Sequence, residues 1–293
     1  MARPTWRARR PRTGPGPDPA RRVGAIDSPS RACDPGEVPA ALDPRQAAGP
    51  AWRPLVATWA LAVGALLCAR LAAGLDPTGL LAANLGGIAA FLFVWLPDRR
   101  LLASGEAWAS FGVPFHGLGD RRTWSAALRG AWQGLAACAI VFPPFVAAFW
   151  GFAVALPRLP RGLAALLAPY AGAPHPGLRF PPGLASLAVV QLLVVALPEE
   201  LFYRGWVQTS WRRAGRSPGV RILGASLGEG FVWTQLLFAA GHLVTLQPWR
   251  LGTFFPGLLF GWLRERTGSI AAPVVVHALS NLLLLTLERS FYG

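Results

Sequence analysis

The chain has 293 residues, 53% of them hydrophobic and only 14% charged, with a mean hydropathy of +0.39. A soluble domain runs nearer a quarter charged, and a soluble helical protein would have too many Trp and Phe side chains to hide. The formal net charge is +14 and all 28 basic residues are arginine, an excess that reads as membrane topology rather than nucleic-acid binding.

Residues 1–53 are rich in Arg, Pro and Ala, with little apolar periodicity. Such a segment cannot bury enough surface to order itself. No apolar core follows its first arginines, so it is not a secretory signal peptide, and it reads as a disordered cytoplasmic tail. Apolar runs near or above the ~18–20 residues that cross a bilayer then follow. The first span is Leu55 to Leu75 and the second Thr78 to Pro97. The third is Gly130 to Leu156, with Pro143-Pro144 kinking it. The fourth runs from Leu184 through Glu199-Glu200 to Trp211. The fifth ends at FAAGH, Phe238 to His242. The sixth is Leu251 to Leu263 and the seventh Ile270 to Glu288. An eighth arises if Arg161 to Ala171 enters the membrane. The expected fold is an all-α polytopic transmembrane bundle of about seven or eight helices. Residues 54–180 hold the N-terminal helices and loops, and 181–293 form a second helical region. Between spans two and three, Trp108, Phe111, Phe115 and Trp124 read as headgroup-level anchors. Three cysteines show no pairing or metal spacing.

The arginines set an orientation. The tail holds ten up to Arg53. Arg99, Arg100, Arg121 and Arg122 follow span two. Arg212, Arg213, Arg216 and Arg221 follow span four, and Arg264 and Arg266 follow span six. These alternate loops fall on one side, cytoplasmic by the positive-inside rule. The expectation is a multi-pass inner-membrane protein with a cytoplasmic N-terminus.

Ionisable residues within spans are costly and face a cavity or a partner. Four places carry polar groups: Glu199-Glu200 with Arg204, His242, His277, and Asn281. Glu200 and Arg204 are i and i+4 and can pair. Glu199 is rotated about 100° away and has no such partner in its own turn. His277 and Asn281, and likewise Phe238 and His242, share faces at the same spacing. At about 1.5 Å per residue, Glu199 lies roughly 20 Å from Arg212, His242 roughly 16 Å from Phe231 and His277 roughly 12 Å from Ser269, so the three can meet at one level. One carboxylate and one imidazole facing a cavity can polarise a water. A second imidazole and a carboxamide can donate to a developing oxyanion. No HExxH occurs.

These residues resemble motifs of the CPBP intramembrane proteases, the family of CAAX-protein and bacteriocin processing. EELFYR (Glu199 to Arg204) looks like its EExxxR motif, FAAGH like FxxxH, and HALSN (His277 to Asn281) like HxxxN/D. The resemblance covers roughly Leu184 to Leu287 and makes 181–293 the catalytic region. It implies an intramembrane endopeptidase in which Glu199 activates water, His242 assists, and His277 and Asn281 stabilise the oxyanion. Glu200 and Arg204 would hold the motif helix, with Phe238 packing against the site. It implies a metal-free glutamate mechanism, with zinc on Glu199, His242 and His277 as the alternative. The implied substrate is a membrane-anchored protein or peptide within the lipid bilayer, such as a leader peptide or a C-terminal sorting tail. A transporter, whose intramembrane Glu and His would string across the membrane, and a non-catalytic immunity factor are the competing readings.

Overall fold

The computed structural model describes residues 52–170, 172–215 and 219–293. The expected tail, apart from Trp52 and Arg53, and Arg216 lie outside those residues. The chain is an all-α polytopic bundle, with eight helices and one small hairpin among the described residues. The first helices are α1 (Trp52–Ala73), α2 (Leu80–Ser104), α3 (Arg121–Ala155) and α4 (Arg161–Leu167). They are followed by α5 (Leu184–Ala214), α6 (Glu229–Gly241), α7 (Phe254–Thr267) and α8 (Ala271–Tyr292). Strands β1 (Val220–Ile222) and β2 (Ala225–Leu227) pair antiparallel between α5 and α6.

Among the described residues, five helices are long and apolar enough to cross a membrane: α1, α2, α3, α5 and α8. The expected fifth and sixth spans instead form α6 and α7, of 13 and 14 residues. At about 1.5 Å per residue these reach only ~20 Å, short of the ~30 Å hydrocarbon core. Two short 3₁₀ turns, His242–Thr245 and Pro248–Thr253, link them. Helix α4 has seven residues and is too short to span.

Helix ends differ from expectation for local reasons. Helix α2 runs on through Pro97 and stops at Gly105, whose φ of 69° caps it. Helix α3 begins at Arg121 rather than Gly130, because Asp120 accepts from the Arg122 backbone N–H and caps it. Phe111 does not anchor at headgroup level. It is 1% exposed, in a 3₁₀ turn (Trp108–Phe111), with the Arg213 guanidinium 4.3 Å from its ring. Phe115 and Trp124 are exposed.

Helix α5 is continuous but has two π-helical stretches, Gln191–Ala196 and Leu201–Gln208, flanking the α turn Leu197–Glu200. Pro198 has no N–H to give the Val194 carbonyl, so the ladder opens just before it. Such wide turns recur at functional sites. The second stretch is the core of the molecule. Phe202 through Gln208 are all buried, packed with Phe93, Phe111, Phe238 and Phe260.

Two pairs of glycines bring helices close. On α3, a Cβ at Gly134 would stand 3.0 Å from Val275 of α8, and one at Gly130 would collide with Ala271. On α7, Gly257 and Gly261 face the polar side of α5 and α6. Small residues four apart allow this approach.

The loops that the arginine pattern groups together do meet at one end of the bundle. Arg213, at the end of α5, pairs with Glu106 after α2 at 2.6 Å, and Arg212 pairs with Glu265 of α7 at 2.9 Å. The 172–180 segment lies against the far end of α8, where the His175 N–H donates to Phe291 O and Arg179 donates to Gly293 O.

Candidate active site

Glu199 is held in the α turn between the two π stretches, with its side chain 17% exposed. His242 is the first residue past α6, and His277 lies one turn and a half inside α8. These elements bring the three side chains together. Glu199 Oε2 stands 3.9 Å from His242 Nε2 and 3.9 Å from His277 Nε2. That exceeds hydrogen-bond length and suits one bridging water. Glu199 Oε2 is buried and has no hydrogen-bond partner among the described residues.

Both imidazoles are oriented from behind. His242 Nδ1 lies 2.8 Å from the Phe238 carbonyl, which can only accept. His277 Nδ1 lies 2.8 Å from Glu200 Oε1, which also takes Arg204 Nη1 at 3.0 Å. Both Nδ1 atoms therefore donate. In the neutral rings both Nε2 atoms are then acceptors, aimed with Glu199 at one gap. Three acceptors around one gap call for protons there.

Phe238 packs against His242 and Arg204. Its ring lies edge-on to His242 at 4.6 Å and under the Arg204 guanidinium at 4.2 Å. Phe260, which no motif marks, stacks on His277 at 4.8 Å with an interplanar angle of 17°.

Glu200 and Arg204 pair as their spacing predicts, both wholly buried. Their environment extends much further than one pair. Arg204 Nη2 donates to Gln235 Oε1 at 2.9 Å and to the Gly257 carbonyl at 3.2 Å. Gln235 reaches Gln208, which donates to the Gly261 carbonyl and to Glu265 Oε1. Glu265 takes Arg212. A hydrogen-bonded chain thus runs from His277 to the end of α5. Of its members, Gln208, Gln235 and Glu265 were not singled out in the sequence. The polar spacing at 200, 204, 208 and 212 along α5 was the available signal.

Asn281 makes no hydrogen bond to either histidine among the described residues. Its Nδ2 donates to Gln191 Oε1 of α5 at 2.8 Å. It does share their space. A cavity of about 580 Å³ is lined by Glu199, Phe238, His242, His277 and Asn281, with Gln191, Arg250 and otherwise mostly apolar walls. Val141, Phe142 and Phe145, around the Pro143-Pro144 pair of α3, form part of those walls. One carboxylate and two histidines is a donor set that zinc takes. Among the described residues, however, no group of three His, Cys, Asp or Glu is arranged to hold a metal ion.

A multi-pass helical membrane protein with ionisable groups gathered in a cavity among its helices is the class this architecture defines. Residues 181–283 match the family described as type II CAAX prenyl endopeptidase Rce1-like. Over that region the chain is similar to the CAAX-type endopeptidases, the family its three motifs resemble. The match takes in α5, α6, α7 and the first part of α8, and so Glu199, Glu200, Arg204, Phe238, His242, His277 and Asn281. No curated protein and no solved structure matches the chain.

Proposed function

We propose that the chain hydrolyses a peptide bond of a membrane-associated protein or peptide at this cavity, with Glu199 as the base. The observation that carries this reading is the 3.9 Å separation of Glu199 Oε2 from both Nε2 atoms. A water in that gap gives one proton to Glu199 and is oriented by His242 Nε2. Its oxygen attacks the carbonyl carbon as its O–H bond breaks, and the C=O pair moves to oxygen. The Asn281 amide, and His277 Nε2 when that nitrogen carries a proton, donate to that oxyanion. The C–N bond then breaks and Glu199 returns its proton to the leaving amine. No step is routed through a metal.

The gathering of these groups into one cavity supports hydrolysis over transport, which needs polar groups strung across the bilayer. The apolar walls suit apolar side chains of a membrane-anchored segment. Leader peptides or anchored C-terminal sorting tails of a bacterial inner membrane are the proposed substrates. The test compares new peptide amino termini in membranes expressing the wild type or Glu199→Gln. Termini made by the wild type and absent with the variant are expected. Termini that persist with Glu199→Gln would remove Glu199 as the base.

A further inference from the structure

We infer that Gln191 is a positioning residue: through its hydrogen bond to Asn281 it aims one amide N–H of Asn281 into the cavity. The inference rests on the proposed oxyanion role of Asn281.

An asparagine amide turns on a broad terminal torsion, so a side chain that only lines a cavity does not hold a donor in place. Gln191 Oε1 accepts from Asn281 Nδ2 at 2.8 Å, across the contact between α5 and α8. An accepted bond fixes which end of the amide is nitrogen. Nδ2 carries two hydrogens, and the bond occupies one of them. The second leaves the same nitrogen about 120° away, and both residues line the cavity that holds Glu199 and the histidines. Gln191 also begins the first π stretch of α5, eight residues before Glu199 on the same helix. One element thus carries the base and the group that orients the oxyanion donor. This matches how His242 and His277 are held, each by a hydrogen bond on the atom that faces away from the cavity.

A merely structural bond between helices would lower stability and leave turnover alone. Gln191→Met keeps length and packing and removes the acceptor. The expected result is a roughly tenfold fall in kcat per folded enzyme with KM unchanged, less than the ~10²–10³ lost with an oxyanion donor itself. In an Asn281→Ala background the same substitution should cause no further fall. A second readout needs no activity. The sequence has two asparagines, Asn84 and Asn281, so ¹⁵N-asparagine labelling gives two side-chain amide pairs. Gln191→Met should shift the Asn281 pair and leave that of Asn84. An unchanged kcat, losses that multiply in the double variant, or an unshifted Asn281 pair would each overturn the positioning role. If the wild type cleaves nothing, the catalytic reading falls on that result, and the amide spectrum still decides whether Gln191 holds Asn281.

Discussion

Glu200 Oε1 accepts from His277 Nδ1 at 2.8 Å and from Arg204 Nη1 at 3.0 Å, so one buried oxygen ties the motif helix to the last helix. Glu200 is therefore more than a helix-holding residue. It fixes the ring whose other nitrogen faces Glu199. Glu200→Gln keeps the shape, removes the charge and leaves Arg204 uncompensated in the core. Breaking a buried pair from one side costs about 3–5 kcal/mol. A lowered thermal midpoint and lost cleavage together are expected, measured on purified protein in detergent. Cleavage at the wild-type rate would remove Glu200 from the positioning of His277.

Glu199 should behave in the opposite way. Its Oε2 is buried and has no hydrogen-bond partner among the described residues, and a buried charge without hydrogen bonds destabilises. Glu199→Gln is expected to abolish cleavage while the thermal midpoint stays level or rises. A fall in stability comparable to that of Glu200→Gln would mean that Glu199 supports the fold rather than the reaction.

The contrast between these two neighbours shows what the sequence carries. Charges in apolar spans stand out, and four-residue spacing already separates a paired Glu200 from a free Glu199. Much of the remaining network stands out less, because glutamine is uncharged and Gln191, Gln208 and Gln235 find partners far along the chain. Asn281 lies 90 positions from Gln191. The π stretches have no propensity signature, and only Pro198 hints at the first. The fifth and sixth spans differ because hydropathy reads apolarity and not helix length: α6 and α7 are apolar but hold only 13 and 14 residues. Phe111 was misplaced likewise, since an aromatic ring suits a headgroup layer and a core equally.

Gly261 tests the packing of that network. A Cβ there would stand 2.5 Å from Gln235 Nε2 and 3.0 Å from Gln208 Oε1. Gly261→Ala must displace both amides, with overpacking worth about 1–3 kcal/mol. Gly64→Ala on α1 meets nothing within 4 Å and should be neutral or slightly stabilising through helix propensity. Equal thermal midpoints for the two variants would show that the network tolerates rearrangement.

The orientation proposal makes a prediction on intact cells. Leu178 lies in the segment against the far end of α8, and Ala214 lies at the arginine-rich end. With Cys33, Cys68 and Cys138 replaced by serine, a membrane-impermeant maleimide should label Leu178→Cys and spare Ala214→Cys. The reverse pattern would place the N-terminus outside.

Zinc is the remaining alternative for the chemistry, and it predicts a different response from a metal-free carboxylate base. A water activated by Glu199 needs no ion, so dialysis against a strong chelator should leave cleavage intact, and added zinc should not raise it. With zinc, Glu199, His242 and His277 would be the ligands. Chelation would then abolish cleavage, stoichiometric zinc would restore it, and ligand substitution would remove zinc from the purified protein. The orphaned Glu199 Oε2 and the two Nε2 acceptors suit either occupant chemically. A tetrahedral zinc with ligands at about 2.0–2.2 Å sets them roughly 3.3–3.6 Å apart, close to the 3.9 Å gaps, so the response to chelation and not the spacing separates the two.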